Sequence, residues 1–145
     1  MVAFGRSFAL VDEKNHGYLA PTTLTTAAGL LKILEPQAGN YTGMPGLLSY
    51  YEICQNLGSN GWKDVWLDEG KVPYAYGDGD WVGYDNVDSI IYKLDMTRSY
   101  GVGGIWWDAI HGDDFKVSFK LKTSSESFGL KLDVYFELNW SKQLQ

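Results

Sequence analysis

Apolar and polar residues alternate in several short stretches of the chain, as in strands with one buried face. Residues 2–10 (VAFGRSFAL) predict a strand that runs into a loop, and 62–67, 71–76 and 81–85 predict three more strands. Glycine and aspartate at 77–80 separate the last two, a composition that predicts a tight hairpin turn. The middle of the chain is therefore predicted to be a row of short strands.

Other stretches carry apolar residues at helical spacing. A short helix is predicted over 27–34, ending before Pro36, and a longer one over 46–57. Asp85 is suited to be the N-cap of a further helix, which Gly101 would end. These segments flank the predicted strands on both sides.

The apolar run GGIWW at 103–107 predicts a strand covered on both faces, and the tail at 116–145 again alternates like strand. Strands in a row with flanking helices predict the α+β class. The last step, from a helix to a buried strand, instead resembles one unit of a parallel α/β barrel. The pattern therefore indicates a small α+β insertion attached to the last strands of a barrel.

Aromatic residues form 15% of the chain, with 6 Trp and 10 Tyr, and the net charge is −6. This acidic balance argues against nucleic acid as a partner, because the phosphate backbone attracts basic surfaces. The flat C–H faces of sugar rings stack on Trp and Tyr, and their hydroxyls need polar groups beside the rings. The composition thus favours a neutral carbohydrate ligand, with core and sheet packing of the rings as the alternative.

Charge is spread unevenly along the chain. Residues 1–115 hold 7 basic and 15 acidic side chains, whereas residues 116–145 hold 5 basic and 3 acidic ones. This change predicts a boundary near Phe115. No apolar run approaches the ~20 residues of a membrane helix. No signal-peptide pattern follows Met1.

Cys54 is the single cysteine, so a disulfide within the chain is excluded. A lone thiol in an apolar stretch is typical of a small buried hydrophobe. With only His16 and His111 as partners and no local signature, a catalytic Cys–His pair is disfavoured. His111 lies near Asp113 and Asp114, but three residues in one loop are a weak pattern for a metal site, and neither a metal nor a cofactor is expected.

Two tripeptides, Asn40-Tyr-Thr42 and Asn139-Trp-Ser141, match the acceptor pattern for N-linked glycosylation in a secreted protein. Two matches in a chain of this length also arise by chance, so both interpretations stay open.

Five stretches of the chain together resemble glycoside hydrolase family 18, the chitinases and chitinase-like lectins. In order, they are FGRSFAL (4–10), NHG with AP (15–21), YTG with GLLSYYEIC (41–54), KVPYAYGDGDWVGYDNVDSI (71–90) and GVGGIWW with DDF (101–115). They span most of residues 1–115. The resemblance implies the end of barrel strand seven at 1–10, an α+β insertion domain at 11–86, the last barrel helix and strand eight at 87–115, and an atypical tail at 116–145.

The family's catalytic signature, D-x-x-D-x-D-x-E, does not occur within these 145 residues. In that family a Glu protonates the leaving oxygen and the N-acetyl group of the substrate attacks, so a raised-pKa acid with a neighbouring Asp is required. The resemblance therefore implies no catalytic residue in this chain, which alone should be inactive.

The resemblance does imply residues that contact a saccharide. Arg6 matches an Arg on the wall of the chitin groove, and Glu52 matches an acid that accepts hydrogen bonds from hydroxyls. Phe4 occupies a place where many members have Tyr. Trp106 and Trp107 fall near the Trp at the floor of the site. The alternative for the first pair is an Arg6–Glu52 ion pair without a sugar role.

Two positions depart from the family pattern. Counted from Gly103, the slot of the floor Trp falls on Asp108, with Trp107 one place early. The cysteine that pairs with the counterpart of Cys54 in many relatives is missing after Phe115. The tail at 116–145 is therefore predicted to differ from the family's usual last barrel helix.

Three functions remain open on this basis. The first is a part of a chitinase-like protein whose complete form binds and hydrolyses chitin or chito-oligosaccharides. The second is a non-catalytic chitin-binding lectin. The third is a structural or interaction fragment without a ligand, which would self-associate through an exposed barrel surface around 103–107. The resemblance implies secretion and no membrane partner.

Overall fold

The computed structural model describes residues 4–25, 29, 31–103, 106 and 110–113 of the chain. Its elements follow one another along the sequence as short strands with two α-helices among them. They are β1 (Phe4–Ala9), β2 (Thr23–Thr25), β3 (Leu31–Ile33), β4 (Leu47–Ser49), α1 (Tyr50–Ser59), β5 (Lys63–Leu67), β6 (Val72–Gly77), β7 (Asp80–Gly83), α2 (Val87–Ser99) and a 3-10 turn (Ile110–Gly112).

Five of these strands form one sheet in the order β4-β1-β7-β6-β5, and every neighbouring pair is antiparallel. β2 and β3 form a separate two-stranded ribbon. The α+β class and the combination of an antiparallel sheet with a helix are confirmed. Neither described helix is both long enough and apolar enough to cross a membrane.

One face of the five-stranded sheet packs against α1 and forms the core. Ile53 of α1, Ala75 of β6 and Val82 of β7 have no exposed surface. Leu48, Trp62 and Tyr84 complete this cluster. Burying Ile53-sized side chains contributes about 1.5–3 kcal/mol each, so this contact holds the helix on the sheet.

The other face of the sheet is more open, and the alternation within β1 separates the two faces. Gly5 and Ser7 are buried on the core side, whereas Arg6 and Phe8 are exposed. A Cβ atom on Gly5 would lie 2.6 Å from a methyl carbon of Val82 and 2.7 Å from Cδ1 of Ile53. The core therefore closes against the bare backbone of β1.

The predicted hairpin turn at 77–80 is confirmed. Gly77 pairs with Asp80, and the two residues between them have positive φ, 52° for Asp78 and 80° for Gly79. This geometry fits the right-handed twist of the strands, and Asp and Gly tolerate it best. The indole Nε1 of Trp62 donates a 2.9 Å hydrogen bond to Asp78 and ties the turn to the core.

Both α-helices begin later than the sequence predicts. Residues 47–49 are β4, and Ser49 is the N-cap of α1. The N-cap of α2 is Asn86, which exchanges hydrogen bonds with Ser89. Asp85 instead accepts hydrogen bonds from the Lys93 ammonium at 2.5 and 2.7 Å. In both helices the N-cap is the polar residue directly before the first turn, Ser49 in α1 and Asn86 in α2.

The predicted helix over 27–34 is wrong for 31–33, which form β3. Pairing with β2 satisfies the backbone of this segment, and Leu31 and Ile33 are 75% and 71% exposed. Short-range apolar contacts could not stabilise so short an isolated helix.

The predicted strand at 103–107 and the tail at 116–145 fall almost entirely outside the described residues. Residues 4–9 join the antiparallel sheet, between β4 and β7. The division into barrel strands, insertion domain and tail stays a prediction.

Candidate functional site

An aromatic row crosses the open face of the five-stranded sheet. Phe8 of β1 pairs in register with Trp81 of β7. The rings of Phe8 and Trp81 are 6.2 Å apart, and Trp81 stacks on Tyr74 of β6 at 5.3 Å with 22° between the planes. Gly83 makes room for this row, because a Cβ atom there would lie 3.2 Å from the Trp81 ring. We call these three side chains the aromatic row.

Arg6 lies beside the aromatic row. It pairs in register with Gly83, which in turn pairs with Tyr74, so Arg6 and Tyr74 flank a position without a side chain. A depression of about 310 Å³ opens here, and Arg6, Tyr74, Trp81 and the Asp85–Lys93 pair line it. Aromatic faces next to donors and acceptors are the composition that sugar sites need.

A second depression of about 180 Å³ continues the first along the sheet. Phe8 and Thr22 line it, and it shares Tyr18 and Trp81 with the first. Tyr18 is 56% exposed, so its ring is accessible from solvent.

A third concavity of about 620 Å³, larger than these two depressions, lies at the other end of β1, where Phe4 borders it. The ring of Phe4 meets His111 edge to face at 5.5 Å, and Tyr41 meets Tyr51 in the same way at 5.2 Å. Thr42, Met44, Leu47, Ser49, Gly112 and Asp113 complete the lining. Since Phe4 also borders the depression at Arg6, the hollows follow one another along β1.

Glu52 lies behind this concavity, in the interior, with 4% of its surface exposed. Its Oε1 accepts hydrogen bonds from the backbone N–H groups of Tyr41 at 2.6 Å and Thr42 at 3.0 Å, and a longer one of 3.4 Å from the Thr42 hydroxyl. Its Oε2 accepts from the backbone N–H and the hydroxyl of Ser49 at 2.7 and 2.9 Å. The four donors within 3.0 Å already fill the about four lone-pair sites of a carboxylate, so its acceptor capacity is used up inside the protein.

These contacts also set the ionisation of Glu52. Burial raises its pKa, but the hydrogen bonds from Ser49, Tyr41 and Thr42 outweigh burial, and the pKa lies below the ordinary 4.5. The same carboxylate belongs to the capping box that begins α1, since the Ser49 hydroxyl accepts from the backbone N–H of Glu52. Glu52 therefore stays ionised and joins the start of the helix to the Tyr41 loop.

The predicted ligand-binding residues divide into three groups. Phe4 and Arg6 lie two residues apart on β1, both on the open face. Glu52 is buried behind them, and Arg6 forms no ion pair with it in the described part of the chain. Trp106 is 82% exposed, and Trp107 lies outside the described residues. A contact of Glu52, Trp106 or Trp107 with a ligand remains a prediction.

Sequence reasoning did not single out Tyr41, Tyr74 and Trp81. Alternation over 80–83 places Trp81 on the other face of the sheet from the buried Val82, and this pattern could have predicted which face Trp81 lies on. No local signal could have assigned Tyr41, because a carboxylate eleven residues away holds its backbone. Where side chains are described, no three His, Cys, Asp or Glu residues converge as metal ligands.

Comparison with known proteins yields a family match over all of the described residues. The family model of the glycosyl hydrolases family 18 matches residues 1–113. A curated relative, mouse chitotriosidase-1, is 36% identical over 120 residues, which cover 82% of this chain and 22% of that protein. The chain thus spans about a fifth of the length of this relative.

Solved structures resemble the chain in the same way. A chitinase of Trichuris suis matches with a TM-score of 0.70 and 33% identity, covering 82% of this chain and 29% of that one. Human YKL-39, a pseudo-chitinase with retained chito-oligosaccharide binding, matches with a TM-score of 0.62 and 34% identity over 79% of this chain and 28% of that one. Both a catalytic and a non-catalytic protein therefore share this fold.

Proposed function

The chain belongs to glycosyl hydrolase family 18, and on that premise we propose that it supplies one wall of a cleft for chitin or chito-oligosaccharides. The observation that carries the proposal is the placement of Phe4, Arg6, Phe8 and Trp81 on one face of the sheet, where the buried Tyr74 ring stacks on Trp81. N-acetylglucosamine offers C–H faces to the rings, while its hydroxyl and carbonyl oxygens accept hydrogen bonds from the five donors of Arg6.

Within this cleft we assign Glu52 to the positioning of other groups. Its carboxylate is occupied by Tyr41, Thr42 and Ser49, and a sugar hydroxyl would have to displace one of these donors. By fixing the backbone of the loop, Glu52 holds the Tyr41 ring, 66% exposed, at the edge of the concavity next to Phe4. Tyr41 then offers a stacking surface to the sugar.

For the complete protein we propose hydrolysis of β-linked N-acetylglucosamine polymers, with the catalytic carboxylates supplied outside these 145 residues. The D-x-x-D-x-D-x-E signature is absent from them. A chain that binds without a positioned general acid cannot protonate the leaving oxygen, so the chain alone should bind and not cut. Its proposed location is extracellular, as the family resemblance implies.

A second candidate is a non-catalytic lectin, and the likeness to YKL-39 favours it. That protein is a pseudo-chitinase, yet it retains the binding of chito-oligosaccharides. Phe4 and Arg6 act in binding alone, so both candidates need the same contacts. They differ only in whether the complete protein releases reducing ends from chitin.

A third candidate is an interaction fragment that self-associates, and the exposure of α2 favours it. Val87, Ile91, Tyr92 and Met96 are 38–43% exposed on that helix. Apolar side chains exposed on one helix offer surface to a partner. Sedimentation that depends on protein concentration, in a chain that does not respond to sugar, would support this candidate over the other two.

Titration of the full chain with chito-oligosaccharides tests the cleft. We expect Arg6→Ala to weaken binding about tenfold, the equivalent of ~1.4 kcal/mol. Arg98→Ala is the matched control, because Arg98 is exposed on α2 and pairs only with Asp95 at 3.3 Å among the described residues. Absence of binding at millimolar sugar, or equal loss in both variants, would sink the proposal.

A further inference from the structure

The turn at 39–43 presents an asparagine to solvent at the edge of the concavity that Phe4 borders. The backbone N–H of Gly43 donates a 2.9 Å hydrogen bond to the carbonyl of Gly39 and closes the turn. A Cβ atom on Gly39 would lie 2.2 Å from Oε1 of Glu52, so the turn is pressed directly against that carboxylate. Asn40, the next residue, is exposed.

Asn40 is the first residue of the sequon Asn40-Tyr41-Thr42. Thr42, the third residue of this sequon, forms hydrogen bonds in the folded chain. The Thr42 hydroxyl donates to the carbonyl of Leu47 at 2.9 Å and contacts Oε1 of Glu52 at 3.4 Å. The backbone N–H groups of Tyr41 and Thr42 are bound to the same carboxylate.

We propose that Asn40 carries an N-linked glycan, and that the glycan is attached before the turn closes around Glu52. The proposal rests on the extracellular location proposed above. The folded turn exposes the amide that bears the sugar, whereas it withholds the Thr42 hydroxyl and the extended backbone by which a sequon is recognised. The geometry therefore permits the glycan after folding but obstructs its transfer.

The transfer is a substitution at an anomeric carbon, and its co-reactant is an oligosaccharide linked to a lipid diphosphate. The amide Nδ2 of Asn40 forms a bond to C1 of the first sugar, and the bond from C1 to the diphosphate oxygen breaks. The lipid diphosphate leaves with the bonding electrons, and one amide proton passes to a base of the transferring enzyme. Nothing is oxidised or reduced.

The position of the glycan has a consequence for the cleft. Tyr41 and Thr42 line the concavity that Phe4 borders, so a sugar chain on Asn40 would stand at its rim. It would cover the exposed side of the turn and leave the depression at Arg6 open, since none of the turn residues lines that hollow.

The experiment is secretion of the full chain, behind a cleavable leader, from cells that add N-linked glycans. An amidase that removes the glycan converts the glycosylated Asn to Asp, and mass spectrometry of the peptide around residue 40 reports the conversion. We expect most of the secreted chain to convert at Asn40, all conversion at this site to be lost in Asn40→Gln, and Thr42→Ser to retain it. Asn139→Gln removes the second sequon from the comparison. Secreted chain that is unmodified at Asn40 overturns the proposal.

The order of events is tested with chain folded in bacteria and then offered to microsomal membranes that contain the transferring enzyme. We expect modification of Asn40 to fall at least tenfold below that of the same chain denatured beforehand, and equal modification overturns the order. Sugar titration is independent of both results. A glycosylated chain that binds no chito-oligosaccharide defeats the cleft and leaves this inference standing, whereas a binding chain unmodified at Asn40 does the reverse.

Discussion

Oε1 of Glu52 accepts a 2.6 Å hydrogen bond from the backbone N–H of Tyr41, across eleven positions of sequence. Through Ser49, the same side chain completes the capping box of α1. One buried carboxylate thus couples the start of a core helix to a loop that lines the concavity bordered by Phe4. Changes at Glu52 should therefore affect stability and ligand binding together.

Replacing Glu52 by Gln should destabilise the fold by about 1–3 kcal/mol. The amide would place an N–H₂ group opposite backbone donors and leave at least one buried N–H without an acceptor. Urea unfolding measures the loss, with Glu69→Gln as control because Glu69 is exposed. If the two variants unfolded at the same urea concentration, the carboxylate would have no structural role.

Stability should fall at acidic pH because of Glu52. Its pKa is lowered in the folded chain, so its contribution is fully present well above 4.5 and is lost as pH falls through the folded value. Unfolding free energy measured between pH 7 and 3 should therefore decline less steeply in Glu52→Gln than in the parent chain.

Asp80 should affect the pH dependence of stability in the direction opposite to Glu52. Burial raises its pKa above the ordinary 3.8, despite a 2.9 Å hydrogen bond from the backbone N–H of Gln37. Asp80 binds a proton more readily in the folded chain than in the unfolded chain. Its contribution to the free energy of unfolding therefore rises as pH falls through its folded pKa. Asp80→Asn keeps an acceptor for the backbone N–H of Gln37. Its unfolding free energy should decline more steeply with falling pH than that of the parent chain. Identical pH profiles of the two chains would contradict a raised pKa for Asp80.

Gly5→Ala should be strongly destabilising, by about 1–3 kcal/mol. The new methyl group would approach Val82 and Ile53 to less than 3 Å, and the core must shift to admit it. Gly17→Ala is the matched control, because a Cβ atom there meets nothing within 4 Å. Thermal unfolding compares the two, and a Gly5 variant as stable as the Gly17 variant would show that the core yields freely.

Phe4→Tyr should strengthen binding of chito-oligosaccharides about fivefold, equivalent to ~1 kcal/mol for one added hydrogen bond. Phe4 is half-buried at the border of two hollows, and the family resemblance implies Tyr at this place in many members. Tyr100→Phe, at the exposed end of α2 and outside the lining of both hollows, is the control and should bind like the parent chain. A Phe4→Tyr chain that binds no tighter than the parent would contradict the prediction.

Several features of the chain followed from local sequence alone. The period-two pattern identified β1, β5, β6 and β7, and Asp78-Gly79 defined the hairpin between the last two. Cys54 was predicted to be a buried small hydrophobe, and its exposure is 4%. These features depend on side-chain alternation and turn geometry within a few residues, which are written directly in the sequence.

The site was decided by contacts between distant segments. The family resemblance implied a groove contact for Glu52, yet the closing of the 39–43 turn placed its carboxylate in the interior. The open face became a single surface only when β1, β6 and β7 paired in register, bringing Arg6, Tyr74 and Trp81 together. The local sequence pattern determines which face of each element is apolar. Which element packs against that face, and which donor binds each buried acceptor, depend on how the whole sheet assembles.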